Sequence, residues 1–163
     1  MKLFLLRHGL AGERDPSRYP TDAVRPLTTD GKHEILRIAK RLRREKIRFD
    51  LIISSPYTRA RQTAEIVARI YKMKVKLTDH LTPEGKMRDL IQYLGALKGA
   101  PEAILLVGHE PYLTQLISIL LSGKDNLDIR LKKAGLCRLT IGFFLYGRCA
   151  RLDWLLTPEQ LAV

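Results

Sequence analysis

Short apolar runs alternate with stretches of helical periodicity along the chain. Leu3-Phe4-Leu5-Leu6, Leu51-Ile52-Ile53 and Ala103 to Val107 are unbroken and of strand length, as strands covered on both faces require. Between them, Ile35, Ile38, Ala39 and Leu42 recur at i, i+3, i+4 and i+7, a helix with one buried stripe. Thr28 and Asp30 are its candidate caps. A second helix buries Ala60, Thr63, Ala64, Val67, Ala68 and Tyr71, with Ser55-Pro56 as N-cap and first helical residue. Met87, Leu90, Ile91 and Leu94 mark a third helix. A fourth starts at Pro111 and carries Leu113, Leu116, Ile117 and Leu120. Val75 to Leu77 is a short strand, and two late strands, about 137–143 and 150–156, lie one turn apart and pair antiparallel. Strands alternating with helices predict an α/β fold: a three-layer α/β/α sandwich with a mainly parallel central sheet and an antiparallel C-terminal strand.

The chain's 163 residues fit a single domain, 1–163, with no repeat or low-complexity tract. No segment approaches the ~18 apolar residues of a membrane span. The apolar run before Arg7 is too short for a signal peptide. The expectation is a cytoplasmic protein with no membrane partner.

Charge changes this picture. Lys and Arg number 29 against 17 Asp and Glu, a net +12, which draws polyanions and phosphorylated partners. Arg37, Lys40, Arg41, Arg43, Arg44, Lys46 and Arg48 concentrate on the first helix, opposite its apolar stripe. This is either a solvated face or a surface that steers an acidic partner. Nucleic acid is not expected, since neither interleaved aromatics nor a docking motif accompanies the cations.

Candidate chemistry gathers where strands end. The first strand ends in Arg7-His8-Gly9, and Gly9 is expected to permit unusual backbone angles beside the imidazole. The second leads through Ser54-Ser55-Pro56-Tyr57-Thr58 to Arg59 in a first helical turn. The third delivers His109 just before a helix. If the three strands are parallel, these ends share the carboxyl edge of the sheet, where open α/β folds bind ligands. Arginine forks suit phosphate oxygens bidentately, helix N-termini add N–H donors, and a neutral imidazole is a nucleophile toward phosphorus. No P-loop is present, and no His/Asp/Glu cluster has metal-ligand spacing, so neither metal nor cofactor is expected. Arg61, His33 and His80 receive no role. The long polar segment Ala11 to Pro26 reads as a functional or mobile loop.

Arg7-His8-Gly9, Ser55 through Arg59 with Gln62-Thr63-Ala64, and Gly108-His109 resemble the signature of the histidine phosphatase superfamily, which shares its fold with phosphoglycerate mutases. The small size, Arg25-Pro26-Leu27-Thr28 and Leu81-Thr82-Pro83 resemble its short phosphohistidine phosphatase branch. The resemblance implies that His8 is transiently phosphorylated and that Arg7, Arg59 and His109 bind the phosphoryl oxygens, with Arg25 a further contact. Ester-cleaving members use a glutamate two residues after a leucine; here Leu81 is followed at that distance by Pro83, with Glu84 adjacent as a displaced acid. An alkoxide needs an acid worth about 10²–10⁴-fold in rate, whereas the imidazole of phosphohistidine leaves more readily. The reading is a metal-independent phosphatase acting on phosphohistidine of a protein partner. The alternatives are a small-molecule phosphomonoesterase using Glu84, and a phosphate-recognising module without turnover.

Cys137 and Cys149 would stand opposite each other in a hairpin centred on Phe143, near disulfide distance but needing some closure. A cytosolic setting keeps both reduced, and neither belongs to the candidate site.

Overall fold

A computed structural model describes residues 1–162. Its centre is a six-stranded sheet in the order β3-β2-β4-β1-β5-β6. The strands are β1 (Lys2–Arg7), β2 (Leu51–Ser54), β3 (Val75–Leu77), β4 (Ala103–Gly108), β5 (Leu136–Ile141) and β6 (Ala150–Leu156). The first four are mutually parallel, with Leu5 opposite Leu106 and Ile52 opposite Leu105. β5 runs antiparallel to both β1 and β6, so it is the reversed strand of the sheet.

Alternation along the central strands sends side chains into two cores. Phe4, Leu6, Ile52, Leu105 and Val107 face α1 (Thr29–Arg44) and α2 (Thr58–Tyr71). Leu3, Leu5, Ile53, Ile104 and Leu106 face α3 (Met87–Gly95) and α4 (Tyr112–Ser122). A one-turn α5 (Pro158–Leu161) closes the chain and packs beside α1. The layers are those of a three-layer α/β/α sandwich. Among the described residues no helix is long and apolar enough to cross a membrane.

Local details depart from the sequence reading. Thr28 caps α1 as expected, its hydroxyl accepting from Gly31 N at 3.0 Å. The second helix begins at Thr58, not Pro56, because Ser55 Oγ accepts the Tyr57 amide at 3.2 Å and Tyr57 stays extended (φ −57°, ψ 133°). α4 likewise begins at Tyr112, with Pro111 as its cap. Gly9 provides space, not a rare backbone angle: a Cβ there would meet Ile35 Cγ1 at 2.9 Å and Gly31 O at 3.3 Å. The 11–26 segment is tied down by a bridge between Ala11 and Leu27 and a 3-10 turn at Asp22–Val24.

The late hairpin is also differently centred. Its loop runs from 142 to 149, and Cys137 pairs with Leu155, not with Cys149. A bulge between Arg138 and Leu139 shifts the register, and the Cys149 amide is drawn away to Leu120 O at 2.9 Å. Both cysteines are free thiols; burial pushes that of Cys137 up to about 12.

Candidate active site

Parallel pairing of β1, β4 and β2 brings Arg7, His8, Ser55 and His109 to one sheet edge, and the first turn of α2 adds Arg59. A cavity of about 470 Å³ is lined there by Arg7, His8, Arg25, Arg59, His109 and Glu110, among others. His8, Arg59 and His109 are buried, at 5%, 3% and 1% exposure. Helix α2 is locked to the end of β1 through Thr63, whose hydroxyl accepts from Gly9 N at 3.1 Å and donates to Arg59 O at 2.8 Å.

Hydrogen-bond partners assign the tautomers of both imidazoles. His8 Nδ1 lies 2.7 Å from Gly9 O, which can only accept, so Nδ1 carries the hydrogen. Nε2 then keeps its lone pair and accepts from Arg59 Nε at 3.1 Å. Ser55 Oγ accepts from Tyr57 N, and for its own hydrogen the fully buried hydroxyl has one partner among the described residues, His109 Nε2 at 2.9 Å. His109 Nδ1 is left as an N–H donor. It is buried without a protein partner, as is Arg7 Nε, while Arg7 Nη1 donates to Leu131 O at 2.9 Å. Both His109 and Arg7 line the cavity.

Both histidines are uncharged for the same first reason. Burial pulls His8 and His109 down to about 3, and the nearby arginine cations add to the effect. The folded protein holds two neutral rings that the unfolded chain protonates below about 6.5. Stability is therefore lost as pH falls from about 6.5 toward 3, by up to about 1.4 kcal/mol per pH unit for each ring. In an NMR titration of the folded protein from about pH 8 to about pH 5, the ring resonances of His8 and His109 should stay at their neutral positions. A sigmoidal shift centred near an ordinary histidine value would contradict this.

Asp22 is the residue that sequence reasoning missed. Its carboxylate accepts from Arg59 Nη2 at 2.8 Å and from Arg25 Nε at 3.0 Å, and its carbonyl accepts from Arg59 Nη1 at 2.8 Å. Arg25 is further fixed by Gly12 O at 2.7 Å, so it lines the cavity chiefly as the partner of Asp22. The arginines hold the Asp22 carboxyl below the usual range against the opposing effect of burial. Glu110 also lines the cavity; burial pushes its carboxyl up, and both its oxygens accept from Thr114, at 3.0 and 2.8 Å. Glu84 is not on the wall with His8. It is exposed, accepts from Tyr57 OH at 2.9 Å, and borders a second cavity of about 460 Å³ together with Tyr19, Pro83, Arg25 and Arg59. Arg61 pairs with Glu65 at 3.5 Å, away from the site.

Residues 3–83 match the model of the histidine phosphatase superfamily, branch 1. Phosphohistidine phosphatase SixA of Escherichia coli K12 is 33% identical over 127 residues, which cover 76% of each chain. The chain belongs to the histidine phosphatase superfamily. An uncharacterized protein of Picosynechococcus is 36% identical over 149 residues, 87% of this chain and 86% of that one. A structure of the protein histidine phosphatase SixA complexed with tungstate superposes with a TM-score of 0.85 at 27% identity, covering 99% of both chains. This likeness to SixA places the protein in the short branch of the superfamily, as a phosphatase.

Proposed function

We propose that this histidine phosphatase removes phosphoryl groups from phosphohistidine on a protein partner, without a metal, through a covalent intermediate on His8. The observation that carries the reading is the His8 imidazole: neutral, hydrogen-bonded through Nδ1 to Gly9 O, and presenting the lone pair of Nε2 beside Arg59. In the first step Nε2 gives up its hydrogen bond from Arg59 Nε and attacks phosphorus in line, and the P–N bond of the substrate breaks. Its electron pair returns to the leaving ring nitrogen, and the ring takes a proton from water there or arrives already protonated on its other nitrogen. In the second step water attacks phospho-His8, orthophosphate departs and the imidazole is restored. Arg7, Arg59 and the Nδ1–H of His109 stabilise charge on the equatorial oxygens, as preorganised donors do, and Arg25 supports them through Asp22. SixA, a structural relative, is complexed with tungstate, a tetrahedral oxyanion like phosphate, and this supports the reading.

The second cavity, which shares Arg25, Arg59 and Glu110 with the first, offers room for the segment around the phosphorylated side chain. Leaving-group chemistry favours nitrogen over oxygen. Pro83 donates no proton, Glu84 sits outside the cavity of His8, and Glu110 is engaged on both oxygens by Thr114.

The test compares a small phosphoramidate, a phosphohistidine-bearing protein domain and an aryl phosphate ester, each with a chelator present. Turnover of the two P–N substrates should exceed that of the ester by about 10²-fold or more, the size of a missing general acid. Ester hydrolysis at a comparable rate, lost in Glu84→Gln, would instead establish the phosphomonoesterase. No turnover of any substrate would leave a phosphate-recognising module.

A further inference from the structure

The sheet edge opposite the phosphoryl pocket has its own composition. Helices α1, α2, α3 and α4 run against the parallel strands, so their last turns and following loops all end there. Hydrogen bonds join them: Asp50 Oδ2 accepts from Glu102 N at 2.8 Å and Ala103 N at 2.9 Å, Tyr71 OH donates to Ile47 O at 3.0 Å, and Arg43 donates to Ile70 O. On this edge Arg44, Lys46, Arg48, Lys72, Lys74 and Lys98 are all exposed. The six cations outnumber the exposed acids of these loops, Asp50, Glu102, Asp125 and Asp128, while Glu45 is tied to Arg41 at 2.8 Å. Helix dipoles do not account for the cluster, because their effect fades within the last turn. Lys46, Arg48, Lys74 and Lys98 lie beyond it.

The β5–β6 loop adds a second, independent feature to the same edge. Phe143 is 66% exposed and Leu145 48%. The tip is anchored, since Phe144 turns into the core shared with α3 and α4 and lies against Gly95, and the Cys149 amide holds Leu120 O. Apolar side chains are thus held out on a fixed support, with Arg148 exposed beside them.

We propose that this edge rests on an anionic bilayer surface, its cations over the headgroups and Phe143 and Leu145 in the interfacial layer, with the phosphoryl pocket facing solution. A plane is the partner that fits. The cations come from three separate loops along an edge whose six strands span about 24 Å, so one flat anionic surface meets them together. Lying on a bilayer requires cations and a few interfacial apolar side chains, not a spanning helix. A single-stranded nucleic acid would call for aromatic stacking platforms among the cations, whereas here the apolar tip stands apart and includes the aliphatic Leu145.

Sedimentation of the full chain with vesicles tests the proposal. Binding should occur to phosphatidylcholine vesicles containing about 30% phosphatidylglycerol, fail with phosphatidylcholine alone, and weaken steeply with salt. Reversing Arg44, Lys46 and Arg48 to glutamate should lower partitioning by about tenfold or more. Phe143→Ser with Leu145→Ser should lower it severalfold, with Tm and phosphoramidate turnover unchanged in both variants. Emission of the Phe143→Trp variant should shift to the blue on anionic vesicles. No binding, equal binding to neutral vesicles, or an unshifted Phe143→Trp spectrum overturns the proposal. So does duplex DNA binding that matches vesicle binding and ignores the serine substitutions, which would make the edge a nucleic-acid surface.

Discussion

Replacing His8 with alanine should abolish phosphoramidate turnover while the pocket still binds tungstate. Alanine removes the only imidazole whose lone pair faces Arg59, and with it the site of the covalent intermediate. The donors assigned to the anion, Arg7 and the Nδ1–H of His109, remain. The fold should survive, because the change strands only Arg59 Nε and Gly9 O, a loss of about 1–3 kcal/mol for each. Rapid quench of the wild type should trap phosphate on His8, and the alanine variant should trap none. Substantial turnover in the variant, or a wild type without phosphoenzyme, would contradict the covalent mechanism.

Much of the architecture was legible in sequence because its signals are local. Continuous apolar runs marked the buried strands, and the i, i+3, i+4, i+7 stripe of α1 marked its inward face. Parallel pairing then carried Arg7, His8 and His109 to one edge. Signals that depend on distant partners were not legible. Ser55 reads as a cap from its neighbours, yet its hydroxyl serves His109, 54 positions away. The hairpin centre was misplaced because the anchor that draws Cys149 aside lies on α4, and the bulge at Arg138 has no mark in composition. Asp22 sits in a polar stretch where an acid is unremarkable, and only the folded loop lays its carboxylate across Arg59 and Arg25. Its one sequence signal was the i, i+3 spacing to Arg25.

Arg59→Ala should cost about 3 kcal/mol or more of transition-state stabilisation, a fall in kcat/KM of about 10²–10³-fold, as the loss of one preorganised donor does. Arg59 joins three parts of the site: Nε donates to the nucleophile, Nη1 to the Asp22 carbonyl and Nη2 to its carboxylate. These bonds fix the plane of the guanidinium and leave one hydrogen on each terminal nitrogen for a phosphoryl oxygen. Arg59→Lys should recover little, since an ammonium keeps the charge but loses the planar fork. Asp22→Asn separates charge from orientation. The amide oxygen can still accept from Arg59 while the negative charge is gone, so kcat/KM should fall far less than in Arg59→Ala and inorganic phosphate should inhibit more strongly. Steady-state kinetics with phosphate as inhibitor measure both effects. An unchanged kcat/KM in a folded Arg59→Ala protein would remove this arginine from the phosphoryl site. Equal losses in Arg59→Ala and Asp22→Asn would mean that the Asp22 charge, not the placement of the guanidinium, governs catalysis.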